Sequence, residues 1–329
     1  MAHELEMTNG KASMFYVGKE KPWHGLGVQL DNPPTVQEAI AAAGLDWTVS
    51  VFPMYAELQR DNGTITMPAR SRMVVRDSDN RRLSEVGPDW TPLQNIHAFE
   101  WFQPFLDSGE ATLDTAGSLF DGQKIWVLAK LNRDPMNLGG GDTINKFLLL
   151  SNAHSDKASV RPAFVSIRTV CNNTLTAGLA AVGAKSIRVR HSHKVMTNLN
   201  MVRDTINAAN ASFDATAEQY QALTKRQINQ NDLRKYINVV FKQKDTEETE
   251  LNKDDARLIE NKITPIFESG LGSDLSTSKG TLWGAYQAIN TWLNWERGRT
   301  QDARLDSLWF GASQKVDQVA FNEALKMLA

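Results

Sequence analysis

The sequence has a single cysteine, Cys171, among its 329 residues. No disulfide can form within the chain, which is typical of proteins kept in a reducing compartment. The first ten residues contain Glu4 and Glu6 and no apolar run, so they do not resemble a secretory signal. The longest strongly apolar run, Phe147–Leu150, is far too short to span a membrane. These absences predict a cytoplasmic protein, in the cytoplasm of a host cell, with no membrane partner.

The motifs of common catalytic classes are missing as well. Gly139-Gly140-Gly141 lacks the Lys-Ser/Thr pair that completes a phosphate-binding loop. The nucleophile-elbow, zinc-protease and kinase motifs are absent, and no cysteine and histidine set has the spacing of a structural zinc site. The sequence therefore predicts no catalytic residue, no metal site and no cofactor.

One enzymatic alternative stays open. Cys171 lies in a polar stretch, and His154 with Asp156 offers an imidazole and a carboxylate for a thiol- or metal-dependent hydrolase. A lone cysteine at the end of an apolar strand is more typical of buried packing. We expect Cys171 to pack in the core.

Negative charge is missing from residues 157–203, although the whole chain has a net charge of −2. The basic residues of this segment are Lys157, Arg161, Arg168, Lys185, Arg188, Arg190, Lys194 and Arg203. Charge of one sign within an otherwise acidic protein indicates a surface for a polyanion, most plausibly nucleic acid. The alternative is a solvated sheet face whose acidic partners come from elsewhere in the chain.

The spacing of these residues predicts which of them face solvent. Residues 186–190 alternate, so Arg188 and Arg190 are expected to point outward and Ile187 and Val189 inward on a strand. In residues 165–170, Arg168 is expected on the outward face together with Ser166. The predicted nucleic-acid-binding residues are Arg161, Arg168, Lys185, Arg188, Arg190 and Lys194.

The secondary-structure pattern changes along the chain. Thr35 to Glu38 forms a capping box that predicts a helix ending at Gly44, and Asp121-Gly122 predicts a hairpin between two strands. Further strands are expected at 47–51, 73–75, 83–86, 143–152, 163–171 and 186–190, and helices at 93–106 and 174–182. Residues 195–241, 256–267, 281–297 and 321–328 are predicted to be helical.

This arrangement predicts an α+β fold, in which an N-terminal antiparallel β-meander with helices precedes a C-terminal helical region. The predicted domains are a β-rich domain with the basic strands at residues 1–194 and a helical domain at 195–329. The tryptophan-rich helix that contains Trp283 and Trp295 is expected in the core or a subunit interface.

Several short motifs together resemble one family. They are Trp23-His-Gly-Leu-Gly27, Gly44-Leu-Asp-Trp47, Pro92-Leu-Gln-Asn95, Ala116-Gly117, Gly122-Gln-Lys124-Ile-Trp126, Ser151-Asn-Ala-His154 and Arg168-Thr-Val-Cys-Asn-Asn-Thr-Leu175. In this order they are similar to the phage- and plasmid-like proteins of the domain of unknown function 932. The resemblance implies an origin in phages or mobile elements. The expected architecture also resembles that of Rad52-like single-strand annealing proteins.

The resemblance and the basic segment together predict a non-catalytic phage or mobile-element protein that binds nucleic acid. Its expected partner is DNA, single-stranded for an annealing or recombination function, and its expected state is a homo-oligomer. Two alternatives remain. One is a host-takeover or anti-defence factor that meets an acidic protein, and the other is the hydrolase built on His154, Asp156 and Cys171.

Overall fold

The computed structural model describes residues 6–8, 11–18, 26–171, 173–175, 187–206, 210–242, 253–298 and 301–328. The chain forms two compact units, each assembled from three segments. Unit one contains Met1–Asn132, Leu148–Ala163 and Ser186–Thr205. Unit two contains Arg133–Phe147, Phe164–Lys185 and Ile206–Ala329.

Most of the described strands precede residue 176. They are β1 (Met7–Thr8), β2 (Lys11–Ala12), β3 (Met14–Val17), β4 (Val28–Leu30), β5 (Val49–Arg60), β6 (Gly63–Arg76), β7 (Arg81–Val86), β8 (Ala111–Leu119), β9 (Lys124–Leu131), β10 (Met136–Gly139), β11 (Asp142–Ala153), β12 (Arg161–Arg168) and β13 (Asn173–Leu175). Strands β11 and β12 each begin in one unit and end in the other.

Helices dominate the chain after the last of these strands. They are α1 (Val36–Ala42), α2 (Asn95–Glu100), α3 (Gln103–Asp107), α4 (Val195–Ile206), α5 (Asn210–Lys225), α6 (Gln230–Lys242), α7 (Lys253–Ser269), α8 (Leu282–Thr291), α9 (Gln301–Phe310) and α10 (Ala312–Lys326). A π-helical turn, Trp292–Glu296, continues α8. The predicted α+β class, with N-terminal sheets and a helical C-terminal region, is confirmed.

The first helix begins where the capping box predicts. The backbone N–H of Glu38 donates to Thr35 Oγ1 at 3.3 Å, and the Thr35 N–H donates to the Glu38 carboxylate at 2.8 Å. These bonds satisfy donors that a helix N-terminus leaves without intrahelical partners. The hydrogen bond lowers the pKa of the Glu38 carboxyl. Helix α1 buries Val36, Ala39 and Ile40.

The main sheet of unit one has the strand order β11-β9-β8-β3-β4. Strands β8 and β9 form the predicted antiparallel hairpin, with Leu119 opposite Lys124. The turn has positive φ at Phe120, Asp121 and Gly122. A Cβ at Gly122 would lie 2.9 Å from Arg76 Nη1, so this position needs glycine for space as well as for its backbone angle. Strand β3 pairs with β4 in parallel.

A second sheet of unit one has the order β5-β6-β7. Strand β7 pairs only with Arg72–Arg76 of β6, so the more distal part of the β5–β6 hairpin has two strands. We call residues 54–71 the arm. Its strands are joined at Asp61-Asn62, where Gly63 has a φ of +119°. Arg72 Nη2 anchors its base by donating to the Trp90 carbonyl at 2.6 Å.

Unit two places aromatic side chains of three helices in one core. Trp283, Tyr286, Tyr220 and Phe321 are each at most 1% exposed. The Tyr220 ring centroid lies 4.9 Å from that of Trp283 and 5.3 Å from that of Phe321. The Tyr286 hydroxyl donates to the Asp317 carboxylate at 2.8 Å. The tryptophan-rich helix therefore supplies core packing at Trp283.

Several predicted elements differ from the observed ones. The expected helix at 93–106 is two short helices, with Pro104 in the first turn of the second, because a proline fits there and not in a helix interior. The expected helix at 174–182 is wrong at its start, since Thr174 and Leu175 belong to β13, and residues 176–186 lie outside the described residues. The stretch 195–241, predicted to be helical, contains α4, α5 and α6 among its described residues.

No helix in the described ranges is both long and apolar enough to cross a membrane.

Candidate nucleic-acid interface

The centre of the predicted basic surface is an antiparallel bridge in unit one. Val160 and Val189 exchange two backbone hydrogen bonds, each 2.9 Å long. Their side chains are 0% and 4% exposed. Because neighbouring residues on extended backbone point to opposite sides, the flanking side chains point away from this core. The register places Arg161 opposite Arg188.

Exposure agrees with this geometry. Arg188 and Arg190 are exposed on either side of the buried Val189, and Arg161 is half-buried. The alternation expected for residues 187–190 is therefore present, although the only pairing found there is the single bridge at Val189. Arg161 and Arg188 therefore place two positive charges on one face of the bridge.

A histidine–tryptophan contact fixes the chain just after this bridge. His191 stacks on Trp90, with ring centroids 4.9 Å apart, and its Nδ1–H donates to the Thr91 carbonyl at 3.2 Å. The Trp90 indole N–H donates to the Ser155 carbonyl at 3.2 Å. Burial lowers the pKa of His191 to about 4, so this histidine is neutral at physiological pH and orients the backbone.

Two exposed lysines follow the bridge at the end where residues before Val160 run alongside residues after Val189. Lys157 is exposed three residues before Val160, and Lys194 is exposed in the turn that leads into α4. We call Lys157, Arg161, Arg188, Arg190 and Lys194 the cationic surface; all five belong to unit one. Lys185 lies outside the described residues, so its place relative to this surface is not defined.

Arg168 has a different environment, and the expectation that it faces solvent is wrong. Its side chain is 1% exposed, in unit two. Its Nε donates to Asp142 Oδ1 at 2.7 Å, and its Nη2 donates to Asp142 Oδ2 at 2.6 Å and to Ser278 Oγ at 2.7 Å. Strand β12 is covered on both faces here, since Val165 and Ser166 are also buried. Arg168 is thus a structural residue.

The Asp142 carboxylate has further hydrogen-bond donors besides Arg168. It also accepts hydrogen bonds from Thr277 Oγ1 at 2.7 Å and from the Trp283 indole N–H at 3.0 Å. Burial is the largest single effect and opposes the charged form of Arg168, but the hydrogen bonds and charges of Asp142 and Cys171 together outweigh it and raise the pKa of the guanidinium. A buried ion pair of this kind is stable only because its remaining donors and acceptors are matched.

Two residues of the hydrolase alternative, Cys171 and His154, are buried. Cys171 is 2% exposed, and burial raises the pKa of its thiol although Arg168 opposes that effect. The reactive thiolate is therefore disfavoured at neutral pH. His154 is fully buried in unit one and donates to Asn95 Oδ1 at 2.9 Å; burial lowers its pKa to about 3. Within the described ranges, no three His, Cys, Asp or Glu side chains are placed to hold a metal ion.

Asn173 contributes to structure in a way that the sequence did not predict. It directly precedes the helix expected at 174–182, but it begins β13 and is fully buried. Its Nδ2 donates to Thr291 Oγ1 at 2.8 Å, and its Oδ1 accepts from the Trp295 indole N–H at 2.9 Å. Asn173 thereby holds β13 against the end of α8.

The fold and this site define an α+β protein with a solvent-facing cationic surface next to a buried valine bridge. Residues 82–309 match the family model described as Domain of unknown function (DUF932), so the chain belongs to this family. The matched residues include the cationic surface and the Asp142–Arg168 pair, and the arm lies before them. Comparisons with curated proteins and with solved structures give no significant match.

Proposed function

We propose that the chain is a nucleic-acid-binding protein that holds a phosphate backbone on the cationic surface. The observation that carries this proposal is the bridge register, which sets Arg161 opposite Arg188 and exposes Arg190 on the same side. Like charges brought together on a rigid backbone form a site for an anion, and guanidinium groups bind phosphate by two parallel hydrogen bonds.

The geometry favours contacts to the backbone of the nucleic acid. Arg188 and Arg190 are two residues apart on extended chain, hence about 7 Å apart at Cα, so their guanidinium groups can reach different phosphates of one strand. Trp90, the tryptophan on which His191 stacks, is buried and presents no face for base stacking. Binding is therefore expected to be independent of base sequence.

Single-stranded DNA annealing, in a phage or mobile-element setting, is the specific activity that we propose. Sequence-independent backbone binding is what such an activity requires, because a protein that pairs any two complementary strands must not read bases. The proposal includes no catalytic step. The buried, protonated thiol of Cys171 suits a reducing compartment such as the cytoplasm of the host cell.

The test is a salt series with fluorescein-labelled single-stranded DNA, followed by fluorescence anisotropy. If all five cations contact phosphates, log K should fall with log salt with a slope of about −3.5, from about −0.7 per phosphate. Arg188→Glu/Arg190→Glu should weaken binding strongly and bring the slope to about −2. A strand-annealing assay with the same proteins should show a parallel loss.

The matched control is Lys235→Glu/Lys262→Glu, which changes the net charge equally at exposed residues of unit two. It should leave affinity and slope close to those of the wild type. Equal losses in both double variants would indicate a general effect of net charge and contradict the assigned surface. Unchanged DNA binding in the Arg188/Arg190 variant, with loss of an acidic host protein from a pull-down, would favour the host-takeover alternative.

A further inference from the structure

The arm exposes an unusual concentration of apolar side chains. Among the eleven large hydrophobic residues that the described ranges expose, five lie between residues 52 and 67. They are Phe52 (47% exposed), Tyr55 (60%), Leu58 (36%), Ile65 (49%) and Met67 (49%). Single exposed apolar residues are ordinary on a protein surface, but several that share one face mark an interaction site. Phe52 lies just before the arm and Tyr55 shares a face with Gln59, so the shared face is that of Leu58, Ile65 and Met67.

The strand register sorts these side chains by face. Leu58 lies opposite Ile65, and Ala56 lies opposite Met67. Since positions two apart share a face, these four side chains form one apolar side of the arm. The pair Gln59 and Thr64, which belongs to the other side, is polar and joined by a hydrogen bond of 3.1 Å.

This apolar face needs a covering surface. An isolated two-stranded hairpin is at best marginally stable in water, and β7 supports the hairpin only as far as Arg72. Covering the face would remove Leu58, Ile65 and Met67 from water and stabilise the arm.

The chemistry of the arm argues against two classes of occupant. Its charged residues are Glu57, Arg60, Asp61 and Arg70, which sum to zero, so it does not attract a polyanion. Pro53 on one edge and Pro68 on the other have no N–H to donate, which disfavours the addition of a strand from another protein. The remaining mode of contact is the packing of another protein surface on the apolar face.

The size of the face indicates which protein covers it. Seven residues of strand are about 24 Å long and the ribbon is about 10 Å wide, so one face offers about 240 Å². One arm docked on an unrelated protein would bury about 500 Å² in total, well below the roughly 1,000 Å² of a specific interface. Two identical arms exchanged about a two-fold axis would bury about 1,000 Å², because the same contact is made twice.

We propose that the arm is a dimerisation element, and that its apolar face packs on a second copy of the chain in an arm-exchanged homodimer. This proposal does not depend on nucleic-acid binding, because the arm and the cationic surface are separate groups of residues.

The experiment is sedimentation velocity of the full chain without DNA, from about 1 to 100 µM, the range in which weak specific dimers dissociate. The test variant is Leu58→Glu/Ile65→Lys. It removes the apolar face, keeps the net charge, and replaces a directly opposite pair by an ion pair that preserves the hairpin. The control is Gln59→Glu/Thr64→Lys, the same exchange at the neighbouring pair on the other face.

We expect the wild type and the control to form dimers. The test variant should dissociate at least about tenfold more readily, with a circular dichroism spectrum like that of the wild type, which shows that the fold is kept. A wild-type chain that is monomeric throughout this range would overturn the proposal and leave a different protein as the occupant. Dimers of equal strength in the test variant, or equal dissociation of both variants, would overturn the assignment to the apolar face.

Discussion

The guanidinium of Arg168 is held by both oxygens of one carboxylate and by one hydroxyl, with almost no exposure to water. The contribution of this ion pair to stability is best seen from the effect of removing one of its two partners. Without Arg168, the Asp142 carboxylate would stay buried with hydrogen bonds from Thr277 and Trp283 but no compensating charge. Breaking a buried pair in this way is far more costly than losing an exposed one.

At this scale we predict that Arg168→Met lowers the free energy of unfolding by about 3–5 kcal/mol. Cys171→Ala, which alters a neighbouring side chain without stranding a charge, should cost about 1 kcal/mol. Urea denaturation followed by tryptophan fluorescence measures both changes, and Trp283 is a nearby reporter. Folded Cys171→Ala protein should bind DNA like the wild type. Equal small losses in the two variants would contradict the buried-pair account.

The burial of Arg168 could not be predicted from the pattern of its neighbours in sequence. Its neighbours alternate as in a half-exposed strand, but its partners Asp142 and Ser278 are 26 and 110 residues away in sequence. Arg188 and Arg190 were predictable because their environment depends on the adjacent Val189. The spacing of residues predicts which side chains are exposed when only one face of an element is covered. It does not predict exposure when both faces are covered.

Among the elements, the Val160–Val189 bridge shows that one pair of backbone hydrogen bonds is enough to determine which neighbouring side chains are buried and which are exposed. A single hydrogen-bonded pair buries two valines and exposes the cations beside them. The expected strand at 186–190 has no further partner within the described residues. Its inside-to-outside alternation nevertheless holds, because burial of Val189 fixes the direction of its neighbours.

From this bridge we predict that substitution of Val189 affects stability, whereas substitution of the adjacent Arg190 affects DNA binding. Val189→Asp should destabilise unit one by at least about 3 kcal/mol, because it would bury an unpaired carboxylate at a position that is 4% exposed. Arg190→Asp should change the melting temperature little while weakening DNA binding. Thermal melts by circular dichroism compare the two. Tolerance of Val189→Asp would show that this valine is not packed in the core.

The arm is the element that the sequence pattern missed. Strands were expected only at 47–51 and 73–75, near its base. Asp61-Asn62-Gly63 is a turn-forming sequence, and Leu58 and Ile65 each lie three residues from Asp61-Asn62, so this hairpin signal would have extended both strands. The alternation of apolar and polar residues along the arm is weak, because polar residues occupy much of one face.

For the whole molecule, buried ionisable groups set the response to acid. Burial lowers the pKa of His154 to about 3 and that of His191 to about 4, so the unfolded chain binds two more protons at these sites between about pH 6 and pH 4. Burial raises the pKa of Asp114 to about 6, against the effect of Lys130, so the folded chain binds one more proton there. The unfolded state therefore takes up about one net proton more.

We predict that stability decreases as the pH falls through this window, by about 1.4 kcal/mol per pH unit. In His191→Phe, which keeps an aromatic ring against Trp90, the two remaining groups cancel and the slope should be close to zero. Urea denaturation at pH values from about 6 to 4 gives the slope, which is independent of any constant loss from the substitution. An unchanged slope in His191→Phe would contradict the neutral, buried state of His191.

The fold class was predictable from composition and periodicity, whereas the way the chain is distributed between its two compact units was not. The division expected near residue 195 follows the change from strands to helices. The units are set by long-range packing, and strands β11 and β12 contribute to both. Local spacing carries no information about such sharing.

The interleaving of the units affects synthesis on the ribosome. The chain passes from one unit to the other after residues 132, 147, 163, 185 and 205. A nascent chain that has emerged up to residue 132 still lacks the two later segments of unit one, so this unit cannot be completed until residue 205 is outside the exit tunnel. A gene shortened at any of these five points would encode an incomplete version of at least one unit, and no single cut would yield either unit whole and alone.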